Sequence, residues 1–450
     1  MVTPNASRAA AIAAAAALLG AAAFAVHELG HHLLAREGAA LLGPVSKVIV
    51  LVLFAFLLLL ACRHLCMLGL AAWDHWLHAG GGAAERAHRA PSVSIIVPAY
   101  NEAPMIATVL ESLLAIDYPN FEIVVVDDGS SDRTYLRALP FQRRRPDIEC
   151  RVLTKPNGGK FDALNHGIAH ARGEFVLCID GDSLLEPQAL THCIARFADP
   201  RVGAVAGNVR VANRRSPWSA MQALEYIAGY GLAKRAQSAA GVVTIVPGPL
   251  GAFRKCALEA VRGYDGDSYA EDFDLTVKLL GAGWHVVYEP RAIVFTEAPE
   301  RTLELLRQRY RWTRGSLQAL RKRRHRLFAP RRSPLRCLAL WYLSGEYLAL
   351  PALHIGAQLL FVGGELLFNI HPVLVCWWLQ LIVLECAVLT FCVAIENESP
   401  WLIALSPLFR AVYMVVLDAA RLLAAAEELA AVGMSWDKVA RLGRLRGAQA

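Results

Sequence analysis

The chain has 450 residues, 55% of them hydrophobic, and a mean hydropathy of +0.36. That is too apolar for a wholly soluble protein of this length, so part of the chain is expected in lipid. The net charge of +7 is concentrated, with thirteen Lys or Arg and one acid, Glu304, between Arg301 and Arg336. Such a run suits nucleic acid, anionic headgroups or a diphosphate. Its place beside an apolar segment favours membrane lipids and a diphosphate, and no nucleic-acid partner is expected. The ten cysteines have no CxxC or finger spacing, which points away from a zinc site or a disulfide framework.

In chain order, Ala9–Val26 and Val48–Leu70 are each long enough for a bilayer core of about 20 residues. Residues 1–79 therefore read as two transmembrane helices. The first stretch also fits a secretory signal, with Arg8 before it and Ala23-Phe24-Ala25 as a cleavage site. Either arrangement leaves Ser92 onward on the cytoplasmic side. Residues 80–91 (GGGAAERAHRAP) read as a linker. Strand signals at Val93–Val97, Phe121–Val126 and Phe175–Ile179 then alternate with helical spacing at Glu102–Ala115, Lys160–Ala171 and Pro187–Phe197. This rhythm predicts an α/β domain over 92–300 with a mostly parallel sheet and helices on both faces.

Over 301–334, Leu303, Leu306, Tyr310, Leu317 and Leu320 fall near helical spacing with basic residues between them, which predicts an amphipathic interfacial helix. Residues 335–430 carry apolar stretches at Leu335–Ile370, Pro372–Ile395 and Trp401–Ala426, enough for three or four spans. The tail, 431–450, holds Lys438, Arg441, Arg444 and Arg446, and its charge favours the inside and hence four spans.

The chemistry-bearing residues cluster where strands end, the edge at which open α/β sheets bind ligands. Asp127-Asp128-Gly129-Ser130 follows Phe121–Val126; a carboxylate there can accept the N–H of a uracil ring, and Gly129 permits a tight turn. Asp180-Gly181-Asp182 follows Phe175–Ile179, and two carboxylates flanking a glycine can reach one hard divalent cation that neutralises a diphosphate. Glu271-Asp272 stands at an expected helix start, where one carboxylate suits a base for an acceptor hydroxyl. Gly158-Gly159-Lys160 ahead of a helix is a plausible diphosphate cradle. In Gln308-x-x-Arg311-Trp312, Arg311 offers a forked donor to phosphate and Trp312 a flat face for a sugar ring.

These motifs, with Val97-Pro98-Ala99-Tyr100-Asn101-Glu102 ahead of them, stand in the order seen in the processive family-2 glycosyltransferases. The chain resembles that group, which includes cellulose, chitin, hyaluronan and poly-N-acetylglucosamine synthases, over about Ser92–Gly315. It is most similar to the bacterial poly-β-1,6-N-acetylglucosamine synthase type, whose ending Trp436-Asp437-Lys438-Val439-Ala440-Arg441 also resembles. The resemblance implies a GT-A catalytic domain flanked by transmembrane helices in a bacterial inner membrane, with Mg²⁺ or Mn²⁺ as cofactor. By position it implies that Tyr100, Glu102 and Asp128 hold uridine, that Lys160 and Asp180 contact the nucleotide, and that Asp182 with Asp180 binds the metal. It implies Asp272, beside Glu271, as the base, and Gln308, Arg311 and Trp312 at the diphosphate and acceptor end. Ala270 departs from the pattern, since many relatives carry a polar residue before Glu-Asp, and this leaves donor and acceptor identity open.

The function expected is inverting transfer of N-acetylglucosamine or glucose from a UDP-sugar to a growing β-glycan, with export through the C-terminal spans. Single transfer to a lipid acceptor stays open, as does an accessory membrane subunit. A distant alternative is an intramembrane zinc protease, because His27-Glu28-Leu29-Gly30-His31 matches HExxH, with Asp418 as the available third ligand. On the transferase reading, His31→Ala leaves sugar transfer within about twofold of the unaltered chain, as for a residue outside the site, and the purified chain carries no stoichiometric zinc. Transfer assays and metal analysis check both.

Overall fold

The computed structural model describes residues 43–78, 90–143, 147–326, 333–368 and 370–433, with scattered helical positions between 13 and 28. His27 and His31, nearly all of the linker and Trp436–Arg441 lie outside the described residues. A long helix, α1 (Pro44–His78), precedes the α/β unit. That unit opens with β1 (Val93–Ala99), α2 (Ile106–Leu114) and β2 (Phe121–Asp127), followed by α3 (Thr134–Ala138), β3 (Glu149–Thr154), α4 (Lys160–His170) and β4 (Phe175–Cys178). Every residue of β1 and β4 is buried, because these near-continuous apolar runs are covered on both faces, as parallel strands require. Ile106, Val109, Leu110 and Leu113 give α2 its buried face at helical spacing.

The sheet has eight strands in the order β3-β2-β1-β4-β7-β6-β8-β5. β3, β2, β1 and β4 are mutually parallel. The chain runs outward from β1 to β3, then returns to place β4 on the other side of β1, which creates a switch point between β1 and β4. Beyond it lie β5 (Leu184–Leu185), α5 (Ala189–Arg196), β6 (Val202–Val211), α6 (Pro217–Ala228), a π-helical turn over Gly229–Lys234, α7 (Arg235–Ala239), β7 (Gly251–Arg254), α8 (Lys255–Ala260), α9 (Glu271–Ala282) and β8 (His285–Thr296). β7 runs antiparallel to β4 and β6, while β6 and β8 are parallel.

α10 (Thr302–Lys322) leaves the sheet and packs across α9. The face it buries within the protein includes charged residues. Leu305, Arg309, Thr313, Ser316 and Leu320 are buried, whereas Leu303 is exposed. The reason is that two arginines of this face are neutralised by partners from distant helices: Arg309 by Glu225 of α6 and Arg314 by Glu428, so charge does not keep it in solvent.

α11 (Pro334–Tyr347), α12 (Ala349–Phe368), α13 (His371–Glu396) and α14 (Met414–Leu429) complete the described chain. Among the described residues, four helical stretches are long and apolar enough to cross a membrane: Pro44–Leu77, Pro334–Phe368, Val373–Glu396 and Pro400–Leu429. Three of these follow the α/β unit. Several polar side chains inside them are paired, as an apolar environment favours. Arg63 of α1 contacts Tyr342 and Glu346 of α11, and Asp418 accepts from His354 Nδ1 at 2.7 Å and Arg421 at 2.9 Å. Asp418, the third zinc ligand of the protease alternative, is thus held by a histidine and an arginine of neighbouring helical turns.

Two polar joints fix the helices to the sheet. Glu396, at the end of α13, accepts from Asn208 of β6 at 2.7 Å and Arg235 of α7 at 2.6 Å, and Glu398 accepts from Arg214. At the other joint, fully buried Asp274 of α9 accepts from Lys322 at 2.9 Å and Arg323 at 2.8 Å, at the end of α10, and Asp265 joins the same cations and Lys278. Asp274→Ala leaves that positive pair facing an apolar hole. It is expected to lower stability by about 3 kcal/mol, the low end for breaking a buried ion pair, because Asp265 remains. A fall in the thermal unfolding midpoint of the detergent-solubilised chain checks this.

Candidate active site

Three strand ends meet at the switch point. After β1, Asn101 takes a left-handed conformation (φ 52°) and ties two loops together: its N–H donates to Ser130 Oγ at 3.0 Å and its Oδ1 accepts from Ser131 N–H at 2.9 Å. Glu102 follows with its N–H on Thr134 Oγ1, and its side chain packs against Gly181. After β2, Asp128 is buried and closes the Gly158-Gly159 loop. Gly158 N–H and Lys155 Nζ donate to Oδ1 at 3.0 and 2.7 Å, and Gly159 N–H donates to Oδ2 at 2.8 Å. Oδ2 therefore keeps a lone pair. The neighbouring Asp127 carries a buried Oδ1 with no partner, a second acceptor at this strand end. Gly129 (φ 69°) makes the turn possible; a Cβ there would lie 2.8 Å from Asn157 N.

After β4 come Asp180, Gly181 and Asp182. A Cβ on Gly181 would approach Pro98 O to 3.0 Å, so glycine eases the close approach of the acidic turn to β1. α4 starts at Lys160, and Lys160 Nζ bridges Asp180 Oδ1 at 2.7 Å and Glu271 Oε1 at 3.1 Å. Burial works against this ammonium, but the carboxylates of Asp180, Glu271 and Asp272 outweigh it and hold Lys160 protonated well above the usual lysine range. The carboxylates of β4 and α9, far apart in sequence, are thereby joined through one cation.

Asp272 lies in the first turn of α9 with Oδ1 accepting from Phe273 N–H at 2.8 Å. Its pKa is pushed up to about 6, first by burial and then by the adjacent Glu271 charge, with Lys160 pulling the other way. A carboxylate so placed takes up a proton more readily than an ordinary aspartate. The base of α9 is fixed by α10: Ser268 Oγ donates to Gly315 O at 3.0 Å, and a Cβ on Gly315 would lie 2.5 Å from Ala270 N. Five residues or fewer before Gly315 on that helix stand Arg311 and Trp312; Gln308 lies one turn earlier, accepting from Gln222 and Arg309 at 3.3 Å each.

Asp180 and Asp182 suit a divalent cation that takes its other oxygens from a donor diphosphate, since magnesium is commonly held by one or two carboxylates plus phosphates. The ammonium of Lys160 at Asp180 demonstrates that this corner favours positive charge. Among the described residues, the one group of three carboxylates close enough to share an ion is Asp265, Asp267 and Asp274, but Lys278, Lys322 and Arg323 already neutralise it.

Several residues of this region were not singled out from sequence. A Cβ on Gly248 would sit 2.7 Å from Lys160 Nζ and 3.2 Å from Asp180 Oδ2, so the Pro247-Gly248-Pro249 turn lies against the acidic corner; a glycine between two prolines was the available signal. Lys234, closing the π-helical turn, donates to Ile245 O and lies over the Tyr230 ring at 5.1 Å. Burial pushes it down to about 7 against the pull of Asp272. π-helical turns gather at functional sites, but this one has no clear sequence signature.

Residues 90–315 match the family model described as glycosyltransferase-like family 2. The chain is 36% identical over 229 residues to a poly-β-1,6-N-acetyl-D-glucosamine synthase of Staphylococcus epidermidis and 34% identical over the same length to one of Staphylococcus aureus; each match covers 51% of this chain and 55% of the relative. The chain thus spans about half the length of the curated relatives it matches. Among solved structures it is similar to the mannosyltransferase PcManGT of Pyrobaculum calidifontis, determined with GDP-mannose and Mn²⁺, with a TM-score of 0.59 and 23% identity over 85% of this chain and all of the other. That likeness establishes the fold, a GT-A-like α/β domain.

The position of Asp272 sets a pH dependence. If Asp272 acts as the base it must be deprotonated, and burial with the Glu271 charge raises its pKa, so kcat/KM is expected to fall as pH drops through about 6, tenfold per unit. Glu271→Gln removes the like charge, and the acid limb of the pH–rate profile is expected to move to lower pH.

Proposed function

We propose, for a glycosyltransferase that belongs to glycosyltransferase family 2, that it transfers N-acetylglucosamine from UDP-N-acetylglucosamine to the end of a β-linked glycan, embedded in a bacterial inner membrane with the α/β domain on the cytoplasmic side. The observation that carries the reading is the Lys160 bridge, which joins the strand-end acids expected at the nucleotide to the helix that bears the base. The staphylococcal relatives support the choice of sugar and of a polymeric product.

Tyr100, Glu102 and Asp128 line the end of β1 and β2 and bind the uridine, with Asp128 Oδ2 accepting the uracil N–H. Lys160 and Arg311 donate to the diphosphate, and Gln308 and Trp312 seat the terminal sugar of the acceptor. Asp272 takes the proton of the acceptor hydroxyl as its oxygen attacks the anomeric carbon from the face opposite the leaving UDP, which inverts that centre. Glu271 holds Lys160 in place beside the base. Mg²⁺ or Mn²⁺, held by Asp182 and Asp180 when bound, supplies charge to the departing diphosphate. The paired polar side chains among α1, α11, α12 and α14 support passage of the glycan between these helices.

Labelled UDP-N-acetylglucosamine supplied to the chain in lipid nanodiscs is expected to yield a polymer. Asp182→Asn and Asp272→Asn should each lower incorporation by at least about a hundredfold, the scale of weakened metal charge stabilisation for the first and of a lost catalytic proton transfer for the second. Near-normal turnover in either variant would refute the assignment of these residues, and a product limited to one sugar on a lipid would replace the polymer reading with a glycolipid one.

A further inference from the structure

Between the sequence-marked residues Gln308, Arg311 and Trp312 stands a side chain that spacing does not distinguish, Arg309. It is 2% exposed. Its Nη1 donates to Gln308 Oε1 at 3.3 Å, and its guanidinium carbon lies 4.4 Å from the centre of the Trp312 ring. Residues 309 and 312 share one face of α10 at i, i+3 spacing, so one planar group fixes both the carboxamide of Gln308 and the plane of the indole.

That group is itself anchored from two other elements. Nη2 donates to Glu225 Oε2 on α6 and, at 3.4 Å, to the hydroxyl of Tyr413. Tyr413 in turn donates to the same Glu225 oxygen at 2.6 Å. Tyr413 is fully buried in the π-helical turn Phe409–Tyr413, inside the last stretch long enough to span a membrane, where it stacks on Phe409 at 5.3 Å. Gln222, one turn before Glu225, donates to Gln308 Oε1 from the other side. A buried guanidinium stays charged only if its carboxylate partner stays with it, so a displacement of Tyr413 and Glu225 is passed to the Trp312 ring.

We propose that Arg309, fixed by Glu225 and Tyr413, is a positioning residue that sets the orientation of Trp312 and Gln308 and so aligns the acceptor end, tying that alignment to the seating of the last apolar helix. The inference rests on the reading that Trp312 and Gln308 hold the acceptor. It makes a prediction a purely structural arginine would not. Lysine keeps the charge but lacks the planar fork that stacks on an aromatic ring and donates to two acceptors at once, so acceptor handling should suffer while donor handling does not.

The test uses the full chain in nanodiscs, labelled UDP-N-acetylglucosamine as donor and a β-1,6-linked N-acetylglucosamine tetramer as acceptor. Arg309→Lys is expected to raise the acceptor KM by roughly tenfold, within the range that small misplacements of a reacting group produce, with the donor KM within about twofold of the unaltered chain. Tyr413→Phe, which retains the ion pair and nearly the same volume, should raise the acceptor KM by roughly threefold. The double variant should be no worse than Arg309→Lys alone, because both changes act through one contact. An unchanged acceptor KM in both single variants, or donor and acceptor KM rising together, would overturn the inference. If the unaltered chain releases UDP yet never extends the tetramer, the acceptor reading fails first and this inference with it, an outcome distinct from extension that is indifferent to Arg309.

Discussion

The contact on which the site depends is the Lys160 ammonium set between Asp180 and Glu271. Asp180, Glu271 and Asp272 converge in a half-buried corner, where like charges repel and each loses part of its hydration. Without a cation among them the strand end and the first turn of α9 would be driven apart. Lys160 supplies it from the first residue of α4, and its reach is set by where that helix starts. The start is fixed in turn by Asp128, which binds the N–H groups of Gly158 and Gly159 just ahead of it. The carboxylate expected to recognise a base thus also builds the loop that delivers the lysine.

The surroundings are shaped to allow this close approach. Gly248 and Gly181 leave no Cβ where one would collide with Lys160, Asp180 or the end of β1. Ala270, the departure from the family pattern, is buried against Gly315 of α10. Position 270 is a packing contact between two helices in this chain, so its small side chain lets α10 lie directly on the first turn of α9. One turn along α9, Asp274 with Lys322 and Arg323 at the end of α10 fixes the same pair of helices a second time. Two joints along one pair of helices leave little freedom to rotate one against the other.

The strand ends were legible because short apolar runs stop abruptly at acids, a local signal that needs no knowledge of pairing partners. β1, β2, β4, α2, α4 and α5 follow from it, and so does the crevice containing Tyr100, Glu102, Asp128, Asp180 and Asp182. What local pattern does not carry is the identity of distant partners. β7 inserts antiparallel between β4 and β6, and nothing in Gly251–Arg254 announces that. Spacing also does not mark Arg309 and Arg314 of α10 as buried, since arginines count as solvent-facing until Glu225 and Glu428 are brought to them from 84 and 114 residues away. The pairing of His354 with Asp418 is hidden for the same reason: each reads as an isolated polar residue in an apolar stretch, and only the packing of α12 on α14 makes them partners.

Three consecutive residues show how the two halves of the site are made to act together. Ala270 touches α10, whose arginines are anchored among the apolar helices; Glu271 grips Lys160, the first residue of α4, which packs on the sheet; Asp272, next to both, carries the raised pKa. On the proposed reading, the nucleotide half is built on parallel strands buried on both faces. The acceptor half is built on a helix whose orientation depends on ion pairs to other helices. A base mounted on either half alone would follow that half when the two shift. Mounted at the seam, with its immediate neighbours tied one to each side, Asp272 would on that reading keep its relation to both halves when the apolar helices shift.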